Sequence, residues 1–337
     1  MLVLAEAFKM VVQQPIMMIL VFIGSLIGLV FGAIPGLTAT TGVALALPLT
    51  FALNPEMGMA LLIGIYVGGI SGGFIAATLL GIPGTPASIA TCFDAYPLSQ
   101  QGQPVKALGI GVIASFIGTL GSIICLIYIA PVVANIALKL SPFEYTSLMF
   151  CALTLIATLA REEPFRGLAS GFLGILLGTI GIAPIGSTLR FTFGMVPLSA
   201  GINLLALILG VFAIKQICVD HAEDKPVPQV DLKVTGLGIG IGEIVDNAWN
   251  IIRSFFIGLW IGFLPGMGAG VANLIAYAQA KSSSKHPEKF GKGAAEGIWA
   301  SEVSNNAAIG GAMIPMLSLG IPGDSVTALL LGGLMIH

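Results

Sequence analysis

GLVFGAIPGLTA, residues 28–39, returns as GLWIGFLPGMGA at residues 258–269, without a gap and at an offset of 230. Gly28/Gly258, Gly32/Gly262, Pro35/Pro265 and Gly36/Gly266 are all kept. A second pair follows in the same order: LLGIPGTPAS (79–88) and SLGIPGDSVT (318–327), at an offset of 239. Between them NPE (54–56) answers HPE (286–288) at 232, and GIY (64–66) answers GIW (297–299) at 233. Conserved order with a slowly growing offset is the mark of a duplicated unit with small insertions. The last growth falls at ASEVSNNAAIGG (300–311), opposite VGGISGG (67–73), which predicts that the second copy gained polar residues by insertion there.

The chain around these motifs is apolar. Of its 337 residues 56% are hydrophobic and 9% charged, with a mean hydropathy of +1.00, whereas soluble domains carry roughly a quarter charged residues. Charge-free stretches run over Met10–Pro55, Met57–Phe93, Ala107–Leu138 and Phe191–Ile214, each long enough for the about 20 residues of a membrane crossing. Further apolar segments lie near 145–160, 167–189, 249–264, 266–280, 295–317 and 324–336. The expectation is an all-α polytopic membrane protein of about nine to eleven segments. The first apolar run is too long for a cleavable signal peptide and reads as a retained helix.

Charge divides the chain. KSSSKHPEKFGK (281–292) is a basic loop, cytoplasmic by the positive-inside rule, and VDHAEDKPVPQVDLK (219–233) is mixed and Pro-containing. The organisation read from this is a first transmembrane repeat with its following helices over 1–218, a polar linker over 219–242, and the start of a second repeat over 243–337. The basic loop lacks the interleaved aromatics of a nucleic-acid surface, so no nucleic-acid partner is expected; the surrounding partner is membrane lipid.

Each unit reads as helix, Pro-Gly break, short apolar segment, loop, helix, Pro-Gly break. Proline removes an N–H and clashes with the preceding turn, and glycine tolerates dihedrals other residues avoid, so the pair ends a helix and frees backbone groups. One such break is a kink or an interfacial turn. Four, paired by duplication, fit discontinuous or re-entrant helices that meet at a ligand site, where helix N-termini attract anions and freed carbonyls coordinate a cation. Whether the two units are inverted is left open.

Polar residues cluster at the breaks. Thr38, Thr40 and Thr41 follow Pro35 and Gly36; Thr85 and Ser88 follow Pro83 and Gly84. These hydroxyls either bind carboxylate oxygens or cap helices and bond to neighbouring helices. After Pro265 and Gly266, the second unit adds Glu296, Glu302, Ser304, Asn305 and Asn306 ahead of Pro322, Gly323 and Asp324. Glu302 is a candidate for a coupling cation or proton, and Asn305 and Asn306 for substrate or ion, if they lie inside the membrane; the alternative puts Glu296 and Glu302 at the water surface beside the basic loop. There is no HExxH, GxSxG or P-loop, and Asp324 lacks the second membrane aspartate of an intramembrane protease. No enzyme activity, cofactor or metal centre is expected, apart from Na⁺ near the breaks. Cys92, Cys125, Cys151 and Cys218 show no CxxC spacing and read as packing residues.

The motifs GAIPGLTATTGVALALPLTFALNP (32–55), GGISGGFIAATLLGIPGTPASIATCFDAYPLSQQGQPVKALG (68–109), LAREEPFRG (159–167), RFTFG (190–194) and the run from Gly262 to Asp324 resemble the large membrane subunit of the tripartite tricarboxylate transporters, the TctA family. The resemblance implies a permease of the bacterial inner membrane that works with a small transmembrane subunit and a periplasmic solute-binding protein. It would import citrate or related carboxylates on a Na⁺ or H⁺ gradient; the competing reading is a stand-alone ion-coupled carrier or channel for organic anions. Carried onto this chain, the family motifs imply a substrate and ion site at Pro35, Gly36, Thr38, Pro83, Gly84, Pro265, Gly266, Asn305, Asn306, Pro322 and Gly323, to which Thr85 and Glu302 are added from the residues themselves. Two features depart from the family: SEVSNN stands where members carry a Pro-Glu-Ala-Ala-Asn-Asn-like string, and the chain stops in an apolar segment at His337, so the second unit is expected to be incomplete.

Overall fold

The computed structural model describes residues 13–139, 164–183, 188–202 and 238–336, with isolated positions between them. The first unit runs α1 (Pro15–Ala33), α2 (Ala39–Ala46) with a 3-10 continuation (Leu47–Ala52), α3 (Pro55–Leu80), and α4 (Ile89–Gln100) after a 3-10 turn at Pro86–Ser88. A long helix, α5 (Pro104–Ala137), and α6 (Pro164–Gly178) follow. The second unit runs α7 (Ile241–Asp246), α8 (Ala248–Phe263), α9 (Gly268–Ser283), α10 (Ala295–Leu319) and α11 (Ser325–Ile336). Among the described residues α1, α3 and α5 are long and apolar enough to cross a membrane, and the protein is an all-α polytopic membrane protein.

Part of the expected 167–189 segment is not helical. After α6 the chain turns into a two-stranded hairpin, Gly181–Ile182 against Leu189–Arg190. Gly181 has a φ of +117° there, which no helix accommodates. Most of the expected 145–160 segment and of the 219–242 linker lie outside the described residues.

Small residues set how each unit packs. Ideal Cβ atoms on Gly24, Gly28 and Gly32 of α1 would come within 2.4, 2.2 and 2.2 Å of the carbonyl oxygens of Leu61, Ile65 and Gly69 on α3. Both sets climb together, so α1 and α3 run parallel with their backbones touching, as a small-residue stripe permits. In the second unit Gly258 and Gly262 of α8 meet the carbonyls of Ser304 and Ala308 on α10 in the same way, at 2.2 and 2.4 Å. These contacts superpose at fixed offsets: 258 − 28 = 230 for α8 on α1, and 304 − 65 = 239 for α10 on α3.

That register corrects the sequence alignment. Along the whole of α3 and α10 the offset is 239: the helices end at Leu80 and Leu319, and Gly81 and Gly320 cap them in left-handed conformation at φ +68° and +69°. The match of GIY with GIW, which lies inside these helices, is therefore coincidental, while that of NPE with HPE falls in the loop ahead of α10. All 239 − 230 = 9 extra residues lie ahead of α10, around the 284–294 loop, since each residue inserted in a helix would rotate its packing face by about 100°, whereas a loop absorbs length cheaply. The polar residues of α10 are thus substitutions: Glu302, Asn305 and Asn306 stand where Ile63, Tyr66 and Val67 stand in α3 (302 − 239 = 63, 305 − 239 = 66, 306 − 239 = 67).

The direction of the units also follows from contacts. Ser71 donates to Asn306 Oδ1 at 2.8 Å, and Tyr66, one and a half turns back along α3, donates to Asp324 Oδ2 at 2.5 Å. Asp324 follows Gly323, which packs on Ala312. Moving backward along α3 is moving forward along α10, so the central helices are antiparallel and the repeat is inverted. Apolar side chains such as Phe22, Phe116 and Trp260, each 64% exposed, point outward from α1, α5 and α8, while α10 is buried continuously from Gly297 to Met316. A helix enclosed by protein can carry the polar residues that lipid would exclude.

Candidate functional site

The second break docks identically in both units. An ideal Cβ on Gly84 would lie 2.1 Å from Gly32 O and 3.0 Å from Gly73 Cα; one on Gly323 would lie 2.6 Å from both Gly262 O and Ala312 Cα. Only glycine lets the chain after each Pro-Gly reach this seat. The helices that follow are capped alike: Thr85 N donates to Ser88 Oγ at 3.3 Å, and Asp324 N to Thr327 Oγ1 at 2.9 Å. At the first break Thr38 caps α2 by accepting from Thr41 N at 3.3 Å.

These breaks bring four helix starts to one place. A cavity of about 420 Å³ is lined by Thr38, Ala39 and Thr40 at the start of α2, Thr85 to Ala87 and Ile89 at the start of α4, Gly266 to Val271 at the start of α9, and Asp324 to Val326 at the start of α11, over apolar walls from Ile70 and Leu274. The inverted symmetry is visible across it: Thr40 Oγ1 lies 2.9 Å from Ser325 Oγ, and at the equivalent place an ideal Cβ on Gly270 would lie 3.3 Å from Pro86 O. Helix N-termini carry unpaired N–H groups and a partial positive charge of about half a unit each. Four of them around a cavity of this size form an environment suited to an anion of several carboxylates.

Of the residues singled out in the sequence, Thr38, Thr85 and Gly266 line the cavity. Pro35, Gly36, Pro83, Gly84, Pro265, Pro322 and Gly323 make up the breaks that position the four starts. Glu302, Asn305 and Asn306 belong to a different place, a polar network in the bundle interior where all three are 0% exposed. Glu302 Oε1 accepts from Thr91 Oγ1 at 2.5 Å and Asn305 Nδ2 at 3.2 Å, and Oε2 from Ser115 Oγ at 3.4 Å. Its position is interior, away from the basic loop.

The network touches the cavity wall from behind. Asn305 Nδ2 donates to Ala87 O at 2.8 Å, and Asn273 Oδ1 accepts from Ala90 N at 2.7 Å, so two asparagines of the second unit hold the start of α4 in the first. Asn306 is engaged on every side: Nδ2 reaches Ser115 Oγ, Glu302 O and Asn305 Oδ1, while Oδ1 accepts from Ser71 and Thr119. It ties α3, α5 and α10 together. Asp94, also buried, accepts at one oxygen the backbone N–H groups of Gly291, Lys292, Gly293 and Ala294, at 2.8–3.1 Å, and so secures the loop ahead of α10.

Thr91, Ser115 and Asn273 were missed in the sequence because isolated polar residues in apolar runs carry no pattern. Asp324 as a cavity residue was within reach: the alignment of LGIPGTPAS with LGIPGDSVT sets it opposite Thr85.

An inverted pair of broken-helix units around one cavity, in a polytopic membrane protein, defines the class. Residues 18–337 match the tripartite tricarboxylate transporter TctA family, and the chain belongs to that family. It is 34% identical over 324 residues, 96% of its length, to an uncharacterised 52.8 kDa protein of the TAR-I ttuC′ 3′ region of Agrobacterium vitis. It spans 64% of the length of that relative. It is also 43% identical over 80 residues, 24% of its length and 33% of the other's, to an uncharacterised protein of the TAR-II ttuC′ 3′ region of the same organism. No solved structure gave a significant match.

Proposed function

We propose that this chain is part of the large permease subunit of a tripartite secondary transporter that imports citrate or related carboxylates across the bacterial inner membrane. The small transmembrane subunit and the periplasmic solute-binding protein are the partners the family brings, and a Na⁺ or H⁺ gradient supplies the driving force. The observation that carries the reading is the convergence of four half-helix starts, two from each inverted unit, on one cavity edged by hydroxyls. Substrate carboxylates would take N–H groups and the hydroxyls of Thr38 and Thr40, interactions that need no buried basic residue. Alternating access would then be one unit rocking against the other around the fixed cavity.

Glu302 is the proposed interior ion site. A carboxylate enclosed by neutral donors inside a membrane protein is a place where a cation or proton can bind, and its neighbour Asn305 holds Ala87 on the cavity wall. Ion occupancy at Glu302 would therefore reach the start of α4 through a single side chain.

The test is uptake of labelled citrate into proteoliposomes holding the full-length subunit and its small membrane partner, with or without the binding protein, under an imposed Na⁺ or H⁺ gradient. Uptake that needs both the binding protein and a gradient supports the tripartite reading and identifies the ion. Gradient-driven uptake without the binding protein assigns a stand-alone carrier, and flux that ignores the gradient assigns a channel.

A further inference from the structure

The two-fold relation between the units breaks at one point on the cavity wall. Thr85 opens the 86–88 turn of the first unit; the residue at the same place in the second, 324 − 85 = 239 positions on, is Asp324. Its Oδ1 accepts from Thr327 N and Oγ1, both at 2.8 Å, and its Oδ2 from Tyr66 Oη at 2.5 Å. Capping alone does not require the acid, since Thr38 caps α2 with a hydroxyl. Tyr66 is fully buried, whereas Asp324 is half-buried and on the wall.

Among the described residues lining the cavity, Asp324 is the single ionisable one, and none is Lys, Arg or His. The elements around it contribute Tyr66 from α3, Thr38 and Thr40 from α2, the Gly266–Gly268 backbone ahead of α9, and Ser325 and Thr327 from α11 itself. The wall also carries Thr85, 4% exposed, whose hydroxyl is turned onto Gly73 of α3. The pocket thus offers helix-start dipoles and the half-buried hydroxyls of Thr38 and Thr40 to an anion while setting a carboxylate beside it. Two carboxylates within about 4–6 Å hold only one full negative charge comfortably, so an anionic ligand here calls for a compensating positive charge.

We propose that Asp324 is where a coupling charge enters the cavity: a proton or a sodium ion is taken up at its carboxylate together with the substrate carboxylate, so that anion and cation bind as a pair. The inference rests on the carboxylate reading above and adds to it a residue at which ion and substrate meet directly. Glu302, behind the wall, does not line the cavity.

The experiment is citrate binding to the full-length subunit in nanodiscs by calorimetry, for the wild type and for Asp324→Asn, which keeps the helix cap and resembles the neutralised acid. Raising Na⁺ from about 1 to about 100 mM at fixed pH, or lowering the pH by about two units without Na⁺, is expected to tighten wild-type binding about tenfold in the arm that carries the true ion. In Asp324→Asn the same change is expected to shift affinity by less than about twofold, with binding retained in the absence of the ion; Asp324→Glu restores the dependence. A folded Asp324→Asn protein that keeps the full ion dependence, or that binds no citrate at all, overturns the proposal. Should Asp324→Asn not fold, Asp324→Thr, the first unit's residue at this place, is read in the same way, and failure of both to fold assigns the acid to structure alone. A wild-type subunit that binds no di- or tricarboxylate at all sinks the carboxylate reading and this proposal with it, which separates that failure from one confined to Asp324.

Discussion

α3 and α10 occupy the same place in the two units and differ in what they carry. Both end in a left-handed glycine, both lie against a parallel partner through glycine contacts, and both seat a Pro-Gly break two turns before their end. Yet Ile63, Tyr66 and Val67 of α3 become Glu302, Asn305 and Asn306 of α10. The backbone path depends on small residues at close contacts, and those the duplication keeps. The polar content depends on enclosure: α10 is buried without a break from Gly297 to Met316, whereas along α3 buried residues alternate with half-buried ones such as Ile63, Val67 and Ser71. A symmetric scaffold with one-sided charge is what results, and the variants that follow are arranged to break that comparison.

The largest effect is expected where the scaffold itself is challenged. A methyl group on Gly84 would sit 2.1 Å from the Gly32 carbonyl, and one on Gly323 2.6 Å from the Gly262 carbonyl. These are backbone atoms that cannot swing aside, so Gly84→Ala and Gly323→Ala are each expected to lower stability by about 3 kcal/mol or more. Thermal unfolding of the detergent-solubilised subunit measures it. Equal damage in both supports an equivalent seat; a tolerated Gly323→Ala beside a ruinous Gly84→Ala means that the second break can relax and that the two seats are mechanically different.

The next comparison sets Asn306 against Val67. Asn306→Ala deprives Ser71, Ser115 and Thr119 of a shared partner, leaving buried hydroxyls to find bonds elsewhere at about 1–3 kcal/mol. Citrate uptake is expected to fall about tenfold, equivalent to about 1.4 kcal/mol, with membrane insertion kept. Val67→Ala, at the same place in the first unit, removes part of a half-buried apolar side chain and is expected to cost about 1 kcal/mol of stability with little change in uptake. If the two variants behave alike, the polar network of α10 only packs the bundle.

How much of this was legible in the sequence depended on the kind of residue. The four breaks were readable because proline and glycine impose their dihedrals wherever they stand, and the helical, membrane-spanning class followed from composition. The register of α10 is not legible there: GIW resembles GIY by chance, while the true offset is fixed by carbonyl contacts of Gly28 and Gly258 that no string displays. The inverted orientation was hidden for a similar reason, since direction emerges only when Ser71 and Tyr66 are seen to meet Asn306 and Asp324 in reverse order. Thr38 and Thr85 were reachable from their place just past a break. The separation of the cavity from the Glu302 network was not, because nothing in the sequence says that Thr85 lines the cavity while Glu302 lies behind its wall.

The smallest effect is expected at a contact that one half of the symmetry has and the other lacks. Thr40 Oγ1 and Ser325 Oγ join the starts of α2 and α11 at 2.9 Å, whereas the equivalent Gly270 has no side chain to offer Pro86. Thr40→Val removes the hydroxyl while nearly keeping the volume, and one neutral hydrogen bond contributes about 0.5–1.5 kcal/mol. If the hydroxyl serves the bound carboxylate, the KM for citrate uptake rises about threefold at unchanged maximal rate, because ground-state binding alone is weakened. A fall in maximal rate at constant KM would instead give Thr40 a part in holding the two starts together as the units move. That result would make the Thr40–Ser325 pair a hinge contact between inverted units, and Gly270, free of any such tie, the side on which the cavity opens first.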